Sequence, residues 1–333
     1  MLILAGTMLA ACSSQAPGVA SPVTTPSPVM PDESGMIRFA LLDIPEVKDV
    51  PWLMALDSLE KQGYRTEVVN FGKSSLIPPA LAQGDIDIAS VSTSLSWAAV
   101  AQGAGIATVV GKVNTSFFLI TGTDVDSCSD LDGRPITFAS RQSVGYVMFE
   151  EYLDENCPGT APEILLVPGS ANRVAGLQVG EVDGAYLELE QWLSLNEIVP
   201  GQFHILINYA SEFPEVQIST FAVQREWAQE NSKQVEDFIR ALLVAQRSVV
   251  ADPLVLRDGI VKYLSIDGAQ AQDLADAYLL HEIWDSDGQL TSENIQATLD
   301  FLSAADMLPA DVKAEDVADL SYLNTVLDEI GRY

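Results

Sequence analysis

From Met36 onward the chain alternates between short β-like apolar runs and stretches with helical spacing. Residues 36–42 read as a strand, 52–63 as a helix closed by Gly63, 66–71 as a strand, 74–83 as a helix closed by Gly84, and 86–91 as a strand. A β-α-β-α-β order predicts a parallel sheet covered by helices. The texture restarts at Gly133, with strands at 135–139, 163–167 and 182–187 and helices at 143–156 and 171–180. The chain is therefore read as two tandem α/β lobes. Two β-rich segments, 116–121 and 217–223, have no tight-turn partner and are expected to cross between the lobes, one outward and one returning. The remainder is helical. In 232–251 Val235, Phe238, Ile239, Leu242, Leu243 and Ala245 form one apolar face, and further helices are expected at 254–264, 268–283 and 292–305, packed around lobe one.

The first 35 residues have a different pattern. Residues 1–11 are an apolar run ending in small side chains, and Leu9-Ala10-Ala11-Cys12 reads as a lipobox, with Cys12 the lipidated residue. No Lys or Arg precedes Cys12, so this signal peptide is read as truncated at its start. Residues 12–35 are rich in Ser, Thr and Pro without apolar periodicity, the composition of a solvated tether. The leader is too short to span a bilayer, which takes roughly 20 apolar residues, and no later run reaches that length. The expected address is extracytoplasmic, lipid-anchored to the cell membrane, in a periplasm or at a cell surface.

Charge narrows the range of partners. Among 333 residues, 17 basic and 47 acidic side chains give a net charge of −30, spread along the chain, which excludes nucleic acid as an expected partner. Apart from Cys12, Cys128 and Cys157 form an even pair that an oxidising compartment would link; two separate thiols is the other reading. The two histidines, His204 and His281, have no ligand-spaced neighbours, so no metal or cofactor is expected. No Ser/His/Asp set or Walker-type phosphate loop is present either, and the chain is read as a non-enzyme. Asp285-Ser286-Asp287-Gly288 lacks the remaining ligands of a calcium loop and reads as a turn.

Several segments then resemble a known family in order and spacing. Gly72-Lys73-Ser74-Ser75 followed by Ala80-Leu81-Ala82-Gln83-Gly84-Asp85-Ile86-Asp87 resembles the first-lobe signature of ABC-importer solute-binding proteins for nitrate, sulfonates, taurine and pyrimidine precursors. Asp130-Leu131-Asp132-Gly133-Arg134, Ser143-Val144-Gly145-Tyr146 and Val179-Gly180-Glu181-Val182-Asp183-Gly184 resemble the second-lobe segments, and 288–302 resembles the closing helices. The resemblance implies an α/β type II periplasmic-binding-protein fold. Lobe one would comprise 36–118 plus 221–333, and lobe two 119–220. It further implies a monomer that captures a small organic solute between the lobes and delivers it to an ABC permease. The alternatives are an exported small-molecule enzyme on the same fold, or a sensory solute receptor.

In open α/β sheets ligands bind beyond the carboxyl ends of the strands. That rule selects Asp43, Trp52, Lys73, Ser74, Ser75, Ser92 and Thr93 from lobe one, and Asn114 near the first crossing. From lobe two it selects Arg141, Ser143, Val144, Gly145, Ser170 and Glu188. Serines at helix starts could hold an anionic or carbonyl oxygen or act as plain caps. Trp52 could stack on a ring or simply pack. Arg141 could pair with an anionic ligand or form a surface salt bridge. Relatives commonly carry Trp, an acidic residue and Pro where this chain has Leu187-Glu188-Leu189-Glu190; Glu188 facing the cleft would favour a cationic or donor-rich ligand group.

Overall fold

A computed structural model describes residues 35–42, 44–141 and 143–333. Cys12, the leader and the tether lie outside the described residues, as does the candidate Asp43.

Ten strands form two sheets. β1 (Met36–Leu41), β2 (Arg65–Asn70), β3 (Ile88–Ser92), β4 (Ile106–Val113) and β10 (Ser219–Gln224) make the first, in the order β2-β1-β3-β10-β4. β5 (Phe117–Gly122), β6 (Pro135–Phe138), β7 (Glu163–Leu166), β8 (Gly184–Glu188) and β9 (Phe203–Asn208) make the second, in the order β7-β6-β8-β5-β9. Each sheet has three parallel strands, then one antiparallel strand contributed from across the molecule, then an outer strand. The first and second lobes therefore repeat one plan. Each β-rich crossing segment lies wholly in one sheet: β5 pairs with β8 and β9, while β10 pairs with β3 and β4. The chain passes between lobes through 114–116 and again after β9, ahead of β10.

The helices follow the apolar pattern. α1 (Val50–Lys61), α2 (Ile77–Gln83) and α3 (Thr93–Ala101) belong to lobe one; α4 (Val144–Asn156), α5 (Ser170–Gln178), α6 (Leu189–Ile198) and the single turn α7 (Tyr209–Glu212) follow strands of lobe two. After β10 come α8 (Arg225–Glu230), α9 (Ser232–Ala251), α10 (Pro253–Leu264), α11 (Gly268–Leu280), α12 (Ser292–Ala304), α13 (Ala314–Val317) and α14 (Ser321–Ile330). α2 stops at Gly84, whose φ of +76° places it in the left-handed region, where its N–H reaches the carbonyls of Ala80 and Leu81.

Aromatic side chains hold each lobe's centre. In lobe one Phe39 lies 5.3 Å from Phe238 and 6.1 Å from Trp52, and Phe221 lies 5.1 Å from Phe238. Trp52 is 1% exposed and fully engaged in this cluster. In lobe two Phe138 packs on Tyr146, Phe149 and Tyr186, at 5.4, 5.0 and 5.7 Å. Cys128 and Cys157 are disulfide-linked within lobe two, with Cα atoms 6.0 Å apart.

Candidate functional site

A cleft of about 610 Å3 is lined from both sheets. Lobe one contributes Leu41, Ser74, Ser90, Ser92, Ser94, Leu95 and Lys112; lobe two contributes Phe117, Ser140, Ser143, Val144, Gly145, Tyr186 and Glu188. Ser116 and Ile218 line it where the chain crosses. Most of these positions lie at or just beyond strand carboxyl ends or at the starts of the helices that follow, while Phe117 is the amino end of the antiparallel strand β5.

Two helix starts converge on this space. On the lobe-one side, Ser92 precedes α3 in extended backbone with no side-chain capping bond, and its Oγ lies 3.1 Å from that of Ser94. On the lobe-two side, Ser143 caps α4. Its Oγ donates to the Ser140 carbonyl at 2.8 Å and accepts from the Tyr146 N–H at 3.4 Å. First-turn N–H groups have no partner inside their own helix, and both ends carry partial positive charge.

Aromatic surface enters beside α4. Tyr186 stacks on Phe117 with ring centres 4.8 Å apart and planes 5° apart. The close approach depends on Gly145, because a Cβ there would overlap the Tyr186 ring. Burial raises the Tyr186 phenol above its ordinary value, and the charge of Glu188 adds to the effect. Arg173, buried on α5, donates from Nε to the Tyr186 carbonyl at 2.9 Å and from Nη1 to the Val167 carbonyl at 3.1 Å, tying the ends of β8 and β7 together.

Charge is concentrated on the short 3-10 turn Val47–Asp49 and what it meets. Lys48 Nζ lies 2.7 Å from Glu46 Oε2 and, across the cleft, 2.5 Å from Glu188 Oε1. Glu188 is oriented further by Ser116 Oγ, which donates to Oε1 at 3.3 Å, and by the start of α6, which it caps. Burial works against the Lys48 ammonium, yet Glu188 and Glu46 hold it above its ordinary value. Asp49 instead pairs with Lys112 of β4 at 2.7 Å and accepts the Glu46 N–H at 3.0 Å. Glu190, in the first turn of α6, is pushed up to about 7 by burial first and then by the charge of Glu46, with Lys48 opposing.

The structure brings Ser74, Ser92, Ser143, Val144, Gly145 and Glu188 together at the cleft. It places the other described candidates elsewhere. Trp52 is in the lobe-one core, because the first turn of α1 faces the sheet. Thr93 is fully buried, its N–H taken by the Ile218 carbonyl at 3.1 Å. Lys73 and Ser75 are exposed beside Ser74, on the solvent side of a single 3-10 turn. Asn114 donates to the Glu282 carbonyl at 2.7 Å, next to the crossing, and does not line the cleft. Arg141 is exposed, donates to the Tyr146 hydroxyl and sits over that ring at 5.2 Å. Ser170 begins α5 away from the cleft wall. Glu188 ends β8 and caps α6, and Glu190 lies in the first turn of that helix.

Sequence reasoning missed Lys48, Lys112, Phe117, Ser116 and Arg173. A lysine inside the apolar run 106–113 was the available signal for Lys112, since a charge within a fully buried strand requires a partner. Among the described residues no group of three or more His, Cys, Asp or Glu side chains is placed to hold a metal ion.

Two lobes of identical strand order, joined by two crossings and facing one another over a shared cleft, define the type II periplasmic-binding-protein fold. The NMT1/THI5 like family matches residues 59–254, more than half of the chain, and the chain belongs to that family. Among solved structures, the chain is similar to the ligand-binding component of an ABC-type import system from Staphylococcus aureus with zinc bound (TM-score 0.70, 15% identity, covering 87% of this chain and 98% of that one). It is also similar to the periplasmic aliphatic sulphonate-binding protein SsuA from Escherichia coli (TM-score 0.67, 16% identity, 85% and 97%). A third is the periplasmic nitrate-binding protein NrtA from Synechocystis PCC 6803 (TM-score 0.63, 10% identity, 89% and 89%). No curated protein matches the sequence.

Proposed function

We propose that this chain is an extracytoplasmic solute receptor that holds a small organic molecule between its lobes and hands it to an ABC permease. The observation that carries the reading is the convergence of α3 and α4, from opposite lobes, on one cleft of about 610 Å3. That volume suits a small molecule, and cleft-lining serines offer hydroxyls beside two positive helix ends. Tyr186 and Phe117 add an apolar wall for the organic part of the solute. Closure around such a molecule would exclude water and strengthen each polar contact. The importer partner is supported by the similar structures, one a ligand-binding component of an ABC-type import system and two periplasmic binding proteins.

Delivery by a tethered receptor fits the leader pattern. Cys12, lipidated and followed by the Ser/Pro-rich segment 13–35, would keep the two lobes near the permease while leaving them free to rotate. Among the described residues no helix is long and apolar enough to cross a membrane. A thermal-shift screen of sulfonates, amines, amino acids, nitrate, pyrimidines and purines tests the reading. A true ligand at a hundred times its Kd should stabilise the fold by about 2.7 kcal/mol. Chemical turnover of the ligand, or no stabilisation by any solute class, overturns it.

A further inference from the structure

Resting on the solute-receptor reading, we propose that Glu188 determines specificity by binding a protonated nitrogen of the solute, with Lys48 as the resident cation that the solute displaces. Five charged residues are among those lining the cleft, and every ammonium already has its carboxylate. Lys112 is held by Asp49 at 2.7 Å, and Lys48 by Glu46 and Glu188 at 2.7 and 2.5 Å. Two ammonium groups therefore face three carboxylates, and among the described cleft residues no side-chain cation is left over for an anion. An anionic solute would meet only serine hydroxyls and helix ends. A cationic group has a prepared seat.

The ammonium of Lys48 shows what that seat accepts. It sits between two carboxylates at hydrogen-bond distance, and Glu188 is kept aimed at it by Ser116 Oγ and by capping α6. Lys48 comes from lobe one and Glu188 from lobe two, so the contact forms only while the lobes face each other closely. A lysine stem is a flexible four-carbon arm, and its head can swing back to Glu46 when a solute nitrogen takes its place. Asp49 and Lys112 cannot exchange in this way, because both are buried. The electrostatic balance thus favours an amine or amidine-type solute, whose oxygen-bearing end, where present, would lie toward α3 and α4.

Calorimetric titration of the full chain with matched pairs tests this: 2-aminoethanesulfonate against ethanesulfonate, 3-aminopropanoate against propanoate, and benzylamine against benzyl alcohol. The amine of at least one pair should bind about tenfold or more tightly than its partner, the value of one charge-assisted hydrogen bond. Lys48→Met should tighten amine binding by roughly fivefold to tenfold by removing the competing cation, and Glu188→Gln should erase the preference. Because Lys48→Met predicts a gain, a misfolded Glu188→Gln protein leaves the proposal open to refutation. Equal or tighter binding of the partners that lack the amine, weaker amine binding by Lys48→Met, or a ligand from the broad screen that lacks a protonated nitrogen overturns the inference and leaves the receptor reading standing. Failure of every solute in that screen overturns the receptor reading instead.

Discussion

Lys48 and Asp49 are neighbours on one turn, and their ion pairs differ in almost every physical respect. Asp49 pairs with Lys112 inside lobe one, with side chains 3% and 8% exposed. Lys48 pairs with Glu188 across the cleft, with side chains 19% and 17% exposed. The first joins two elements of a single sheet-and-helix unit and is shut away from solvent; the second joins two units across a cleft that leaves it partly exposed. Breaking a dry pair strands a charge, whereas breaking a wet one lets water replace the partner. Local sequence therefore says little about what a charged residue does until the partner's lobe and burial are known.

The largest expected effect tests the buried side of that contrast. Asp49→Ala or Lys112→Met alone should cost about 3–5 kcal/mol of unfolding free energy in urea denaturation, since each leaves an uncompensated buried charge. Joint Asp49→Leu and Lys112→Met replacement should recover most of the loss. Single losses below about 1 kcal/mol would mean that water reaches the pair, and the distinction between the two pairs would disappear.

A smaller effect is expected at the lobe-two wall. Gly145→Ala introduces a methyl into space held by the Tyr186 ring, an overpacking that costs about 1–3 kcal/mol. Glu188 follows Tyr186 by two residues on the same strand, so displacement of the ring should loosen the Lys48 contact and leave Asp49–Lys112 intact. Near-ultraviolet circular dichroism should report the disturbed Tyr186–Phe117 stack. An unchanged spectrum and unchanged stability would show that the wall yields elsewhere.

Glu190 supplies a pH-dependent test. Burial and the Glu46 carboxylate push it from an ordinary value of 4.5 to about 7, Lys48 pulls it down, Glu188 raises it, and the Tyr278 hydroxyl lies 3.5 Å away. The fold thus favours the protonated form. The stability that Glu190 contributes is full below about 4.5, falls as pH rises toward about 7, and is level above that. Subtracting the pH profile of Glu190→Gln from that of the parent chain should isolate a drop of about 1–2 kcal/mol, discounted for the water that reaches the group. In Lys48→Met the falling limb should extend to higher pH, because the ammonium opposing the shift is gone. A flat difference profile would place Glu190 in open water.

Much of the fold was legible in the sequence because its elements are local. Short β-like runs alternating with helical spacing, with Gly63 and Gly84 closing two of the helices, located β1 to β3, β6 to β8 and the helices between them. β4 and β9 were not identified: Ile106–Val113 is buried along its whole length, so it has no alternation to read, and Phe203–Asn208 was passed over although Pro200-Gly201 marks a turn just before it. The cleft was legible only in part. Ser92, Ser143 and Gly145 follow from strand ends and helix starts, but whether Trp52 turns inward depends on the helix facing set by packing against Phe39 and Phe221. Lys48 and Glu188 are 140 residues apart, and only the apposition of two lobes makes them partners.

The smallest expected effect is on the Lys48 pair itself. Lys48→Met should alter unfolding free energy by less than about 1 kcal/mol, because Coulomb attraction between partly exposed side chains is largely offset by solvation and side-chain entropy. The same variant is the one expected to change amine affinity, so stability and recognition should separate at this position. At Lys112 they should not, since removing that charge damages the lobe before any solute arrives. Raising ionic strength from about 0.01 to 1 M, which shortens the screening length from roughly 30 to 3 Å, should erase whatever stability Lys48 contributes and leave the Asp49–Lys112 contribution nearly unchanged. Equal salt sensitivity in the two variants would show that both pairs are solvated and that the turn carries one kind of contact, not two.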